Sequence, residues 1–306
     1  MSSNLKLTAH KVVVFDIYGT LIDWETGIYN SIKSLFPKDT PRKTVLEKYA
    51  AIELDLQMKD PSVAYSKILD LAWLRLSGQV DTSIGRGGTA AVTEAGEGIG
   101  ASSSALTQED TVSSTPPASD AERFGASVPT WQPFEDTVQA IHRLKEHFAL
   151  VVLSNVDNKS FDGTHELLKS KSNEAHKSKY PTITPDSPFS LILTAQQINA
   201  YKPDSRALEA ALQQVSCAPR SLLPHPSPPW AVEADEVLVV ANSLQHDIEP
   251  ANLHNINSVW ISRHENSIIG DKADLKEKGM WTWRFETLCD LADAVDQEVM
   301  EAHGAA

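Results

Sequence analysis

The stretch KVVVFDIYGTLIDW at residues 11–24 decides the fold of this chain. Its apolar residues Val12 to Phe15 are typical of a strand buried within a parallel sheet. The run ends on the carboxylate of Asp16, and Gly19 then allows a tight turn beside the hydroxyl of Thr20. Because ligands bind outside the carboxyl ends of such strands, Asp16 is a candidate nucleophile or metal ligand. An aspartate that only caps the turn is an equally good interpretation of this stretch by itself.

The composition indicates a globular protein with one large or two small domains. The chain has 306 residues, of which 41% are hydrophobic and 22% charged, and its formal net charge is -14. That charge opposes binding to nucleic acid and to anionic membranes, so neither is an expected partner. No apolar run is long enough to span a bilayer, and residues 1–10 lack the apolar segment of a secretory signal. The two cysteines, Cys217 and Cys289, have no metal-type spacing, and we expect a reducing, cytoplasmic location.

Four further apolar runs have the length of buried strands. They lie at residues 149–153, 190–193, 237–241 and 258–261. Amphipathic helix patterns, such as those at 135–147 and 205–215, alternate with them. This alternation predicts an α/β fold: a doubly wound parallel sheet, Rossmann-like, with helices on both faces.

Between the first two predicted strands the pattern changes. Residues 24–80 carry apolar side chains at helical spacing without a strand pattern, and prolines divide them into about three helices. Residues 81–128 are rich in Gly, Ser, Thr and Ala and poor in large apolar residues, which predicts a disordered loop. We therefore expect residues 24–130 to form a helical insertion, and residues 1–23 and 131–306 to form the α/β core.

Polar residues of the types that enzymes use in catalysis follow four of the predicted strands. The carboxyl ends of parallel strands meet at one edge of the sheet, so these side chains are expected to converge. Each residue taken alone could have a purely structural role. Their occurrence together, after successive strands of one sheet, favours an active site. They are Asp16, Ser154, Asn155, Lys202, Asn242 and Asp247.

Together these groups would form an active site for hydrolysis. Asp16 would attack the substrate and form a covalent aspartyl ester. Ser154 and the amides near Asn155 would hydrogen-bond an anionic group of the substrate or intermediate. Lys202 would keep the Asp16 carboxylate ionised. Asp247, with the amide that ends the fourth strand, would hold either Mg²⁺ or the hydrolytic water.

Four segments that contain these residues resemble the four motifs of the haloacid dehalogenase (HAD) superfamily. The segments are FDIYGTL at 15–21, LSN at 153–155, YKPD at 201–204 and VANSLQHD at 240–247. The first is similar to the Asp-x-Tyr-Gly-Thr-Leu form of the L-2-haloacid dehalogenase branch and its fungal relatives. The resemblance covers residues 11–23 and about 131–265, and it implies that residues 24–130 form a helical cap over the site. It also implies a hydrolase with a small-molecule substrate, and it leaves a homodimer open.

Departures from the motifs bear on the reaction. Phosphatases of the superfamily carry a second Asp, a general acid, where this chain has Tyr18, and a phenol is a poor acid at neutral pH. A halide leaving group needs no proton, so Tyr18 favours dehalogenation. The resemblance also implies an Arg in the first cap helix that cradles halide; Lys48 lies near that place, and Arg42 is a poorer match. Leu208 and Leu244 stand where the dehalogenases have Tyr and Asn.

Three functions follow from these motifs. The first is cofactor-free hydrolysis of a small 2-halo carboxylic acid or a related carbon-centred substrate, with Asp16, Lys202 and Asp247 as catalytic residues. The second is Mg²⁺-dependent phosphoester hydrolysis with Asp16, Ile17 and Asp247 as metal ligands, in which an amide at Asn242 would weaken Mg²⁺. The third is a catalytically weak accessory protein, and the first is favoured. Substrate-binding residues are predicted to be Tyr18, Thr20, Lys48, Ser154, Asn155 and Asn242.

Overall fold

The computed structural model of the protein describes residues 5–60, 62–79, 118–169, 186–217, 232–263 and 279–304. Its strands are β1 Val12–Phe15, β2 Ala149–Ser154, β3 Leu191–Thr194, β4 Val237–Ala241, β5 Asn257–Ile261 and β6 Trp283–Phe285. All neighbouring strands pair in parallel, in the order β3-β2-β1-β4-β5-β6. The predicted doubly wound α/β sheet is confirmed. The edge strand β6 was missed because its three residues are at best half-buried and form no apolar run.

Ten α-helices lie in the described segments. They are α1 Trp24–Ile32, α2 Arg42–Lys59, α3 Tyr65–Leu76, α4 Asp120–Gly125, α5 Thr137–Leu144, α6 Asn158–Leu168, α7 Ala195–Ile198, α8 Ser205–Ser216, α9 Glu249–Leu253 and α10 Leu288–Gly304. None of them is both long enough and apolar enough to cross a membrane.

Strand β1 is central because apolar side chains cover both of its faces. Val13 and Phe15 pack into a core that includes residues of α5 and α10, whereas Val12 and Val14 pack against residues of α8 and α9. Alternate side chains of a strand point to opposite faces, so a four-residue apolar run serves both layers. Strands β2 and β4 flank β1 and are buried at every position. This burial fixes where β1 ends, and Asp16 follows immediately.

The first four helices pack together as a layer of their own. Tyr49 of α2 is fully buried, and its ring contacts those of Trp24 and Phe124, at centroid distances of 6.3 and 6.0 Å. Two hydrogen bonds join this layer to loops of the sheet: Ser66 N–H donates to Asp157 Oδ2, and the Tyr201 hydroxyl donates to the carbonyl of Val63. The described residues between 24 and 130 form no strand. The boundaries assigned to the insertion stay a prediction.

The predicted disordered loop at 81–128 is wrong at its carboxyl-terminal end. Residues 80–117 lie outside the described segments, but α4 forms at Asp120–Gly125. Ser119 and Glu122 make a reciprocal capping box, a signature that is visible as Ser-x-x-Glu in the sequence. At Gly125 a Cβ atom would lie 2.0 Å from Asp70 Oδ1, so only glycine lets α4 approach α3 this closely.

We expect Phe124→Ala to lower the free energy of unfolding by about 3–5 kcal/mol, because it leaves a cavity between helices. Phe124 is 2% exposed, and its ring contacts those of Tyr49 and Trp73. Urea denaturation followed by circular dichroism measures the change. The exposed neighbour Arg123 provides the control, since Arg123→Ala removes no buried apolar contact. A loss below about 1 kcal/mol for Phe124→Ala would mean that α4 does not pack in solution as described here.

Candidate active site

A tight turn presents Asp16 at the carboxyl end of β1. The Asp16 amide still donates to the carbonyl of Val240 in β4, at 3.1 Å. The chain then folds back, and the carbonyl of Ile17 accepts hydrogen bonds from the amides of Leu21 and Ile22, at 2.7 and 3.0 Å. Gly19 has φ +97°, a backbone conformation that glycine adopts without strain. The Asp16 side chain is therefore held at the sheet edge and is nearly buried.

Lys202 links the two carboxylates of the site. Its ammonium donates to Asp16 Oδ1 at 2.8 Å, to Asp247 Oδ1 at 2.6 Å and to the carbonyl of Leu153 at 3.0 Å. An ammonium has three donors, so all of them are committed. Burial disfavours the charged form, but the carboxylates of Asp16 and Asp247 outweigh burial and raise the pKa of Lys202. Lys202 is thus a permanent cation at the centre of the site.

A second set of hydrogen bonds orients the other oxygen of Asp16. The Thr20 hydroxyl donates to Asp16 Oδ2 at 2.7 Å, and it accepts from the backbone N–H of Asn242 at 2.8 Å. Thr20 is fully buried. Since a hydroxyl supplies one proton, accepting from Asn242 leaves that proton directed at Asp16. The carboxylate is held at both oxygens before any substrate binds.

The carboxyl group of Asp247 is buried close to a second carboxylate. It lies in a π-helical turn, Leu244–Ile248, that Ser243 caps by accepting from the His246 amide. Burial, with a smaller contribution from the negative charge of Asp16, raises the pKa of Asp247 to about 7, although the ammonium of Lys202 opposes the shift. Its Oδ2 atom is buried and has no hydrogen-bond partner among the described residues. That oxygen is suited to accept a proton from a water or substrate in the cavity.

These groups line a cavity of about 80 Å³ between the sheet and the first three helices. This is smaller than the engineered cavity of about 150 Å³ that holds benzene, so the substrate is expected to be small. Helices α1, α2 and α3 supply part of its wall and therefore lie over the site. The lining residues are Asp16, Tyr18, Trp24, Glu53, Gln57, Tyr65, Asn155, Lys202, Ser243, His246 and Asp247.

The structure brings five of the predicted site residues to this cavity: Asp16, Tyr18, Asn155, Lys202 and Asp247. The Asn155 side chain accepts from the Lys202 amide at 2.7 Å and donates to the Lys202 carbonyl at 3.0 Å. It therefore positions the lysine loop. The Tyr18 hydroxyl shares a hydrogen bond with Thr164 at 2.9 Å, and burial raises the pKa of Tyr18 above its usual range.

Three predicted substrate-binding residues lie behind the cavity wall instead. Thr20 serves Asp16 rather than the substrate. The Asn242 side chain donates to the carbonyl of Ile261 at 2.8 Å and so ties β4 to β5. Ser154 is buried, and its hydroxyl has no hydrogen-bond partner within the described part of the chain. Thr20 and Asn242 are positioning residues because their polar groups contact protein.

Lys48 does not reach the cavity. It is exposed on α2, with its ammonium 5.6 Å from the centroid of the Phe36 ring. Tyr49, the next residue, is the buried one, and residues at four-residue spacing share its face of the helix. That face carries Glu53 and Gln57. The poorer match, Arg42, bonds to Thr26 near the exposed start of α2.

Ile17 is not available as a metal ligand. Its carbonyl oxygen already accepts two backbone hydrogen bonds, which occupy both lone pairs. The two remaining predicted ligands, Asp16 and Asp247, share the Lys202 ammonium, so a bridging Mg²⁺ would lie beside a full positive charge. Among the described residues, no group of three or more His, Cys, Asp or Glu side chains forms a metal site. The residues present therefore do not fit Mg²⁺ in this arrangement; the absence of a cofactor stays a prediction.

Sequence reasoning missed the helical wall of the cavity. Glu53 accepts a hydrogen bond of 2.5 Å from the Tyr65 hydroxyl, which in turn lies 3.2 Å from the hydroxyl of Tyr49. Burial raises the pKa of Glu53 to about 7. The available signal was a glutamate four residues after Tyr49, a spacing that places both side chains on the same face of α2.

No protein-family model and no curated protein sequence matches this chain. Solved structures do. The L-2-haloacid dehalogenase PA0810 matches with a TM-score of 0.59 at 16% identity, over 93% of this chain and 98% of its own. The L-2-haloacid dehalogenase from Xanthobacter autotrophicus, with chloropropionic acid covalently bound, matches with a TM-score of 0.57 at 13% identity, over 94% and 98%. Magnesium-bound YfnB from Bacillus subtilis, described as a HAD-hydrolase, matches with a TM-score of 0.55 at 13% identity, over 94% and 99%.

These matches show that the chain has the fold of the haloacid dehalogenases over most of its length. The resemblance inferred from the four motifs is thereby confirmed for the fold. At 13–16% identity the matches carry no information on the substrate, which must be argued from the site itself.

We expect Thr20→Val to reduce kcat by roughly 10- to 100-fold, because Asp16 loses the donor that fixes its second oxygen. The same change leaves the Asn242 amide unpaired and should cost about 1–3 kcal/mol of stability. Steady-state kinetics and urea denaturation measure the two effects. Thr137→Val is the matched control: Thr137 is also fully buried, but its hydroxyl donates to the Leu21 carbonyl. Equal kcat losses in both variants would contradict a specific role for Thr20.

Proposed function

We propose that this protein is a hydrolase in which the Asp16 carboxylate displaces halide from a small carbon-centred substrate, such as a 2-halo carboxylic acid, without a metal cofactor. The observation that carries the proposal is the buried cluster in which one ammonium, Lys202, bridges the carboxylates of Asp16 and Asp247. It provides an ionised nucleophile and a separate proton acceptor beside one cavity. The covalent chloropropionate complex of the Xanthobacter autotrophicus dehalogenase, a protein of the same fold, is consistent with this chemistry.

In the first step an oxygen of Asp16 attacks the carbon that bears the halogen. A carbon–oxygen bond forms, the carbon–halogen bond breaks, and halide leaves with the electron pair. Hydrogen bonds from Lys202 and Thr20 restrict the rotation of the carboxylate, so the attacking oxygen is already oriented. No proton is transferred in this step.

In the second step water attacks the carbonyl carbon of the Asp16 ester, and its proton passes to Asp247. Asp247 lines the cavity, and its Oδ2 atom has no hydrogen-bond partner among the described residues, so it is free to accept this proton. The tetrahedral intermediate collapses, the alkoxide takes the proton from Asp247 and departs as the alcohol, and Asp16 regains its carboxylate by releasing the second water proton to solvent. The Asp16 ester is uncharged, which removes the repulsion that helps to keep Asp247 protonated in the free enzyme.

Tyr18 supports a leaving group that needs no proton. Its hydroxyl is engaged with Thr164, and burial raises its pKa beyond that of an ordinary phenol. A group in this state is a poor general acid at neutral pH. Halide departs as a stable anion, so displacement at carbon matches the residue at this position.

One observation favours a second candidate, hydrolysis of a small phosphoester. Burial raises the pKa of Glu53, which lines the same cavity, to about 7, so it carries a proton for much of the time at neutral pH. A protonated carboxyl could donate to a leaving alkoxide in place of the missing general acid. Glu53, on α2, would thus act as the general acid, a role that Tyr18 in the turn after β1 does not fill.

Parallel assays separate the two candidates. The enzyme is given 2-chloropropionate and p-nitrophenyl phosphate, each with Mg²⁺ and with EDTA. We expect release of chloride from 2-chloropropionate and no loss of that activity in EDTA. Hydrolysis of only the phosphoester, lost in EDTA and restored by Mg²⁺, would replace the first candidate by the second. Glu53→Gln should then abolish the phosphoester activity.

We expect Asp16→Asn to abolish turnover with little change in melting temperature, because an amide is a far poorer nucleophile and nearly the same size. In ¹⁸O-water, a single turnover of the wild-type enzyme should place the heavy oxygen in Asp16, as mass spectrometry of its peptide would show. Asp23→Asn is the control: Asp23 caps α1 through the Thr26 amide, a role that asparagine also fills. Label in the first-turnover product would mean that water attacks the substrate directly.

A further inference from the structure

Trp24 lines the catalytic cavity and carries a hydrogen-bond donor that no described residue uses. It is the first residue of α1, is 5% exposed and lines the cavity. Its indole nitrogen is buried and has no hydrogen-bond partner among the described residues. A buried donor left unpaired costs about 1–3 kcal/mol, and buried indole N–H groups usually have partners. What distinguishes Trp24 is its place in the cavity wall, where such a donor is available to a ligand.

The position of this donor relative to the nucleophile is fixed by the turn after β1. A Cβ atom on Gly19 would lie 3.2 Å from the indole nitrogen of Trp24, so the nitrogen lies above this turn. Gly19 is three residues beyond Asp16. The indole ring packs against Tyr49, and its backbone is held by the capped start of α1. The donor is therefore held in place over the turn that follows Asp16.

The two lysines predicted for the site do not offer the cavity a donor for a leaving anion. The three donors of Lys202 are committed to protein oxygens, and the ammonium of Lys48 is on the exposed face of α2. During the proposed displacement, the negative charge of Asp16 is lost as the ester forms and reappears on the departing halide. A donor that stabilises this step must lie where the charge develops, not at the carboxylate.

We propose that the indole N–H of Trp24 binds the leaving halide, donating a hydrogen bond to it as the carbon–halogen bond breaks. This inference rests on the proposed function. The donor is uncharged, so it does not neutralise Asp16 before the attack, unlike a cation at the same place. After the step it holds the halide until release, so free bromide should compete for the same position.

The chain offers a matched control for Trp24. Trp131 is 3% exposed, and its indole nitrogen is likewise buried without a hydrogen-bond partner in the described residues. It does not line the cavity. Trp24→Phe and Trp131→Phe each remove one indole N–H and keep an aromatic ring, so non-specific effects on packing and fluorescence are comparable.

The test is a bromide titration of wild-type protein and both variants, followed by ¹⁵N–¹H spectra of the indole groups at constant ionic strength. The chain has seven tryptophans. We expect one indole signal to move with saturation in wild-type protein and in Trp131→Phe, and that signal to be absent in Trp24→Phe. We also expect Trp24→Phe to lower kcat for 2-chloropropionate by roughly 100-fold, as removal of a transition-state donor does.

Each outcome decides the inference. It fails if no indole signal of the wild-type protein responds to bromide, a result that does not depend on whether Trp24→Phe folds. It also fails if Trp24→Phe retains the responding signal or keeps normal kcat. A bromide response lost in Trp24→Phe, in an enzyme that turns over no halo acid, would support the anion site while refuting the proposed function. Loss of activity in Asp16→Asn with normal activity in Trp24→Phe would leave the function standing and overturn the inference.

Discussion

The site depends on one buried ammonium between two carboxylates. Lys202 contacts Asp16 and Asp247 within 2.8 Å, and all three side chains are nearly buried. Two carboxylates and one cation leave an excess negative charge in a poorly solvated place, which is costly unless a proton is taken up. The raised pKa of Asp247 relieves that excess. Burial and this charge imbalance together raise the pKa of Asp247 to about 7, which under the proposed function lets it act as a base.

The surrounding structure serves to hold this cluster. Asp16 follows strand β1, Lys202 lies in the loop between α7 and α8, and Asp247 lies in the π-helical turn after β4. Asn155 clamps the backbone of Lys202 on both sides, and the Asn242 amide acts on Asp16 through Thr20. Several motif side chains therefore act on one another rather than on the substrate.

The sheet and the clustering of polar side chains at its edge were predictable because they depend on local pattern. An apolar run of four to six residues, ended by a polar group, is visible in any one segment of the chain. The roles of Thr20 and Glu53 were not, since each depends on a contact that spacing does not reveal. Thr20 receives its orienting hydrogen bond from a residue 222 positions away, and Glu53 faces the cavity only because α2 packs over the sheet. Lys48 was misplaced for the same reason, as one residue along a helix turns a side chain by about 100°.

Two parts of the fold supply the cavity wall, and they differ in how far their residues can be substituted. Sheet loops supply Asp16, Lys202 and Asp247, whereas helices α1 to α3 supply Trp24, Glu53, Gln57 and Tyr65. The helical residues do not hold the ion cluster together, so they can diverge without dismantling it. A combinatorial library restricted to these four helical positions would vary the shape and polarity of the pocket while leaving the ion cluster unchanged. The architecture therefore lets the pocket evolve separately from the charged residues beneath it.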